Sequence, residues 1–374
     1  MAFETLHSNL VADTARFRAY PKWPDWLPQQ PIDIAKAMCD EDFRAHLRGM
    51  EGSVQLVAGG PPCQGFSVGG ARNGLDDRNE LVHHQIDLIR LVRPELALIE
   101  NVEGITRAFR ARPGSGGGES VANQVINALS KLGYEAAWGL VDASRFAVPQ
   151  VRRRAIIIGV RRDVGVGPDS FFGHLTAVRS ELYSELAIPF GRVITAQEAL
   201  DDLSNPGVRV VCPDSVKFET TPYRRATSRY QRVMRDGLIA GKIPDSHRFS
   251  KHGDRITALY ELAHATQPKG RLAKAFLLAN DTKKDKKVLI DPDQPVSTIT
   301  THPDEFIHYA EPRNVTVREM ARLQSFPDTF RFYGRYTING PRRRFDVARC
   351  SQVGNAVPPH LGQAIGLAAK RLLG

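Results

Sequence analysis

Cys63 follows Gly59-Gly60-Pro61-Pro62, which itself follows the apolar run Val54-Gln55-Leu56-Val57-Ala58, so a thiol sits just beyond a predicted strand. The carboxyl ends of strands form the ligand crevice of open α/β sheets, which is where a reactive group is useful. A lone cysteine after a strand is more often a small packed residue. Two prolines with fixed φ hold the backbone in front of this one rigidly, which favours the chemical reading. Glu100-Asn101-Val102 closes the next apolar run in the same way and brings a carboxylate to the same edge, although an acid facing water is the plain alternative. Gln150-Val151-Arg152-Arg153-Arg154 opens a further run, and alone its arginines would be a solvated rim. Three separate elements, carrying a thiol, a carboxylate and a set of cations, thus converge.

The elements that must position these groups are short. Val54–Ala58, Leu96–Ile99, Ala137–Val141 and Ala155–Val160 read as strands, the last apolar enough to be buried centrally. Val121, Val125, Ile126, Leu129 and Leu132 mark one face of a helix between the second and third strands, so the alternation is that of a doubly wound α/β domain. Pro113-Gly114-Ser115-Gly116-Gly117-Gly118 is expected to be a mobile loop. From about Arg192 the pattern gives way to irregular sequence until order resumes near Thr316, which marks a separate, loop-rich domain. A final helix presents Leu361, Ala364, Ile365, Ala368 and Leu372, with Lys370 and Arg371 complementing the dipole in its last turn.

With 374 residues, 42% of them hydrophobic, the chain can bury a sizeable core and is not a disordered protein. No run approaches the roughly 18 apolar residues of a membrane span, and no signal peptide is visible, so a cytoplasmic protein is expected. Cys39, Cys63, Cys212 and Cys350 are far apart and form no metal-ligand cluster or disulfide framework. The net charge of +10 favours a polyanionic partner, and residues 179–287 carry 20 Lys and Arg against 13 Asp and Glu.

The runs at 61–67, 100–102, 150–154, Arg318–Asp328 and Gln352–Pro359 resemble, in order and spacing, the signature motifs of the DNA (cytosine-5) methyltransferases. Pro295–Thr301 is also similar to that family. The resemblance spans roughly 300 residues of the family's sequence and implies a Rossmann-like methyltransferase domain at 1–190 plus 350–374. A smaller, irregular target-recognition domain at 191–310 and a motif and hinge segment at 311–349 complete the expected organisation. Cytosine C5 is a poor nucleophile. Addition of the Cys63 thiolate at C6 would make the ring an enamine whose C5 takes a methyl group from S-adenosylmethionine. Glu100, kept protonated by burial, would donate to N3, and Arg152 and Arg154 would flank the base, with Arg154 on O2. Pro62 and Asn355 would lie by the donor, and Asp33 of Asp33-Ile34 would meet its adenine. The target base must be flipped out of the duplex. Gln64, Ser67, Arg72 and Arg78, in a loop running from Gln64 to Glu80, would contact double-stranded DNA as the loop closes. No metal is implied. A monomer is expected, and a cognate restriction endonuclease is an open partner.

The family opens with a strand, a Phe-x-Gly-x-Gly loop that holds the donor, a helix, and a strand ending in an acid. Ala2–Asn9 is similar to the helix after that second strand, so the chain is expected to begin late, with the donor loop upstream of Met1. Two other readings stay open: a truncated remnant that binds DNA without catalysis, and a tRNA cytosine-5 methyltransferase of the same fold.

Overall fold

A computed structural model describes residues 2–17, 23–62, 80–108, 118–282, 286–337 and 346–374. The glycine-rich run, except for Gly118, lies outside them, and so does the loop from Gln64 up to position 79. The chain divides into two compact units. One comprises Pro31–Ala143, Arg153–Arg179 and Gln363–Gly374, and the other Met1–Gln30, Ser144–Arg152 and Ser180–Gly362.

The first unit is built on a four-stranded sheet of β1 (Leu56–Gly59), β2 (Leu96–Val102), β3 (Tyr134–Asp142) and β4 (Arg153–Arg161), in the order β1-β2-β4-β3. The interior place of β4 follows from its composition: Ala155, Ile156, Ile157, Ile158 and Val160 are all fully buried, which a continuous apolar run requires. Strand alternation then sorts the side chains. Ala97, Ile99, Ala155 and Ile157 share a core with Ile89 from helix Glu80–Val92 and with Val125 and Leu129 from helix Val121–Lys131. Ser120 starts the latter helix by accepting a bond from the Asn123 amide, and Gly133, at φ +90°, ends it in a conformation that a side chain would resist. Burying Leu129 fully contributes about 1.5–3 kcal/mol.

The sheet is mixed. β1 and β2 pair in parallel, whereas β4 is antiparallel to both β2 and β3. The alternation of strands and helices suggests a parallel sheet, but only the connections decide. β3 reaches β4 through residues 143–152 with one short turn of 3₁₀ helix and no crossover helix, and a parallel partner would need such a crossover.

The second unit contains little extended structure: two-residue strands at Val210–Val211, Glu219–Thr220, Gly270–Arg271, Val288–Leu289 and Phe306–Ile307. One apolar cluster gathers Leu259, Tyr260, Ala263, Leu272, Leu277, Leu289 and Ile307. Much of the rest is held by buried charge. Arg313 donates to Glu319 at 2.7 and 2.8 Å and to Glu311 at 3.1 Å. Arg322 bridges Asp328 (Nε to Oδ1, 2.9 Å) and Asp202 (Nη1 to Oδ1, 2.9 Å), all three essentially inaccessible. Order resumes at Thr316, as the sequence suggests, through a capping box with Glu319 that begins helix Val317–Leu323. Near the N-terminus, the Asn9 carboxamide donates to the Arg331 carbonyl and accepts from the Arg331 amide.

Candidate active site

In the sheet unit, Glu100 and Arg154 come from antiparallel neighbours whose register pairs Glu100 with Ile156 and Val102 with Arg154. The two residues are therefore diagonal partners on one face, opposite the face that carries Ile99 and Ile157. Their side chains meet at 2.9 Å, Arg154 Nε to Glu100 Oε1, with only 10% and 16% of their surfaces exposed. Burial lowers the Arg154 guanidinium from its usual value and the Glu100 charge opposes that shift.

The same strand end anchors the segment that leads to Cys63. Asn101, buried, donates through Nδ2 to the Pro61 carbonyl at 3.0 Å, while its Oδ1 accepts from the Val102 amide at 2.8 Å. Gly60 passes so close that a Cβ there would sit 3.0 Å from Glu100 Oε2. The backbone two residues before the thiol is thus tied to the residue next to the carboxylate. Cys63 itself, with Gln64, Ser67, Arg72 and Arg78, lies outside the described residues. The three described cysteines, Cys39, Cys212 and Cys350, are free thiols, and burial pushes Cys212 up to about 11, which suits a packed and unreactive group.

In the second unit Arg152 is buried, at 2% exposure. Its Nη1 donates to the Ile299 carbonyl (3.0 Å) and its Nη2 to the carbonyls of Gly354 (2.8 Å) and Ala356 (3.1 Å). Gln150 lies beside it, fully buried, donating to Gln324 Oε1 and the Leu323 carbonyl and accepting from the Ile299 amide. Asn101, Gln150 and Gln324 are named within the sequence motifs but receive no role from sequence alone. A buried amide looks like any surface polar residue until its acceptors are placed. Arg318 and Arg322, in another motif, are buried in the ion-pair networks of this unit.

Three residues are expected beside the methyl donor. Asp33 caps helix Ile34–Ala37, spending Oδ1 on the amides of Ala35 and Lys36. Its Oδ2 is left with an acceptor that an adenine amine could use. Pro62 is exposed, and so is Asn355 at the end of helix Arg349–Asn355. Taken one by one, the Asp33 carboxylate oxygen suits the amine of such a donor, the Pro62 ring its sugar and the exposed Asn355 carboxamide its amino-acid part. Exposed cations without a carboxylate partner among the described residues occur at Arg225, Arg229, Arg232 and Lys242, while Arg224 and Arg235 are neutralised by Asp201 and Asp202.

A profile of the family described as C-5 cytosine-specific DNA methylase matches residues 33–371. The type II methyltransferase M.DdeI of Desulfomicrobium norvegicum is 30% identical over 316 residues, covering 83% of this chain and 71% of that one. M.AgeI of Thalassovita gelatinovora, also a type II methyltransferase, is 30% identical over 393 residues, or 89% of this chain and 86% of that one. A prophage-encoded E. coli chain described as a DNA modification methyltransferase shares the fold at a TM-score of 0.56 and 22% identity, across 91% of this chain and 85% of that one. The architecture is that of an α/β methyltransferase. Among the described residues, no helix is long and apolar enough to cross a membrane.

Proposed function

The chain belongs to the C-5 cytosine-specific DNA methylase family, and on that premise we propose that it methylates C5 of cytosine within a specific duplex DNA sequence, through a covalent adduct of Cys63 with a flipped base. The observation that carries this reading is the Glu100–Arg154 pair at the sheet edge, with Asn101 holding Pro61 two residues ahead of the thiol. S-adenosylmethionine, bound beside Asp33, Pro62 and Asn355, would supply an electrophilic methyl group.

The protein's own groups account for the rest. Cys63, as thiolate, adds to C6 and pushes the C5–C6 electron pair into the ring, toward N3 and O2. An incoming base would offer its O2 to Arg154, and the Glu100 carboxyl, in its protonated form, would donate to N3. Once C5 is methylated, its proton leaves to a base, and the returning electron pair expels the thiolate. Flipping costs a few kcal/mol, which contacts from 64–79 and from the recognition domain at 191–310 would offset. Arg225, Arg229, Arg232 and Lys242 are suited to backbone phosphates, the sequence-independent part of such binding. Type II relatives support a place in a restriction-modification system, with an endonuclease of the same specificity as the partner.

Cys63→Ser tests the reading. Methyl incorporation into DNA should fall to background while DNA affinity stays within a few-fold. Persistent methylation in that variant overturns the mechanism. A DNA-binding remnant predicts no incorporation by the parent chain either, and a tRNA enzyme predicts transfer to tRNA in preference to DNA.

A further inference from the structure

Arg152 and Arg154 are two residues apart, and the family resemblance sends both to the base. Their surroundings differ. Of the five N–H groups of an arginine, four are on the Nη atoms, and those of Arg152 meet four acceptors: the carbonyls of Ile299, Gly354 and Ala356, and Gln150 Oε1 at 3.5 Å. At 2% exposure, that end of the guanidinium has no donor left for a substrate.

The acceptors explain what the group does instead. Gly354 and Ala356 end helix Arg349–Asn355, where carbonyls lack intrahelical partners and a cation complements the dipole. Gln324 Nε2 takes the Val353 carbonyl at 3.0 Å, and Gln324 is in turn held by Gln150. The turn is pressed against 299–301 so closely that a Cβ on Gly354 would lie 2.4 Å from the Thr300 carbonyl oxygen. The 299 segment is itself pinned, because Thr298 Oγ1 donates to the Val151 carbonyl and the Val151 amide to the Val296 carbonyl. The carbonyls on either side of Asn355, Gly354 and Ala356, are thus held by one guanidinium, and that of Val353 by Gln324.

We propose that Arg152 is a positioning residue for the methyl-donor side of the reaction: it fixes the 353–356 turn and hence the Asn355 carboxamide, and it makes no contact with the base. The proposal rests on the methyltransferase reading for its functional consequence, since Asn355 is assigned to the donor there. It divides the Arg152-Arg153-Arg154 run between two tasks. Arg154 serves ring chemistry, and Arg152 serves donor affinity.

The two tasks can be measured separately, because thiolate addition at C6 needs no donor. Addition makes C5 basic; a solvent proton bonds there, the original C5 hydrogen leaves as a proton, and the returning pair expels the thiolate. Tritium at C5 of cytosine in DNA is thus released to water without methyl transfer. We expect Arg152→Met to raise the KM for S-adenosylmethionine at least tenfold while donor-free tritium release stays within about threefold of the parent. Arg152→Lys, keeping the charge, should restore part of the donor affinity. Arg154→Met should show the reverse, with tritium release down a hundredfold or more. If Arg152→Met lowers tritium release as far as Arg154→Met does, or leaves the KM for the donor unchanged, the proposal is wrong.

Backbone amide hydrogen exchange on the full chain supplies a readout that needs no activity. Arg152→Lys should speed exchange in 352–357 and 299–302 while β2 and β4 keep their protection, and unchanged exchange in 352–357 overturns the proposal. If the parent chain releases no tritium and transfers no methyl group, the methyltransferase reading fails, and the exchange experiment still decides whether Arg152 fixes the turn.

Discussion

Both compact units bury apolar side chains, but they differ in how much charge they bury with them. The sheet unit buries Ile89, Ile99, Val125, Leu129 and Ile157 in an apolar cluster in which each side chain contributes through area alone. The other unit buries Arg313, Glu311 and Glu319 together, and Arg322 with Asp202 and Asp328, so that charge is taken out of water and then compensated. Apolar burial degrades gradually when a methyl group is removed, whereas a compensated charge fails abruptly when one partner goes. A buried network of this kind contributes little net stability over a well-packed apolar one, but it demands one geometry.

The sharpest way to break the comparison is to remove a single buried cation. Arg322→Met leaves Asp202 and Asp328 without their shared partner and should cost about 3–5 kcal/mol, read by urea denaturation with Trp23 and Trp26 as reporters in the same unit. Replacing all three residues by Met, Leu and Leu should recover most of that loss. A loss below about 1 kcal/mol for Arg322→Met would show that the charges are not the main support.

Acid should separate the units next. Burial holds His247 down to about 4, and burial together with the Arg313 charge holds His308 to about 3, so both are neutral when folded. The His308 ring accepts the amides of Ala310 and Glu311 at Nδ1, in keeping with that state. An unfolded histidine titrates near 6.5. Stability from these residues is therefore complete above 6.5 and falls as the pH drops through about 4, by roughly 3 kcal/mol for His247. Against burial, Arg313 takes Glu311 down to about 2, so its share is complete above 4.5 and is lost as the pH falls from there through about 2. Fluorescence of Trp23 and Trp26 should change at higher pH than that of Trp138, which lies on β3, with Trp→Phe variants isolating each signal. Coincident transitions would contradict the contrast.

The smallest expected effect lies in the sheet. Ile157→Val removes one methylene from a fully buried site and should cost about 0.5–1.5 kcal/mol by the same denaturation, with no change in acid response.

The contrast also explains what sequence could and could not show. β1, β2, β3 and β4 coincide with the four apolar runs to within a few residues, and Leu361, Ala364, Ile365, Ala368 and Leu372 are all buried along the final helix, because periodicity reports burial in area. Helix Pro168–Glu185 carries no clear periodic signal although Phe171, Leu175, Val178 and Leu182 are buried at helical spacing, since Phe172 and Ala177 add apolar residues outside that face. The mixed direction of the sheet depends on a connection and not on the strands. The ionic unit was legible only as basic and irregular, because pairing charges across more than a hundred residues, such as Arg322 with Asp202, leaves no periodic trace. At the candidate site the motif residues Glu100 and Arg154 form an ion pair that the sequence does not announce, and the burial of Arg152, which the family resemblance gives to the base, depends on carbonyls that carry no side-chain signature.

The antiparallel seam between β2 and β4 acts as a count. Glu100 and Arg154 share a face because each stands an even number of positions from the opposed residues Leu98 and Ile158. Any replacement within the seam leaves that parity intact. Adding or deleting one residue between Arg154 and Ile158 reverses it and sends the arginine to the helix-covered side, while extra residues anywhere from 103 to 152 leave the count untouched. The reactive edge is thus indifferent to how long the intervening chain becomes and intolerant of a change in length of a single residue inside the seam, so chains of this kind can lengthen between their motifs without losing the pair those motifs make.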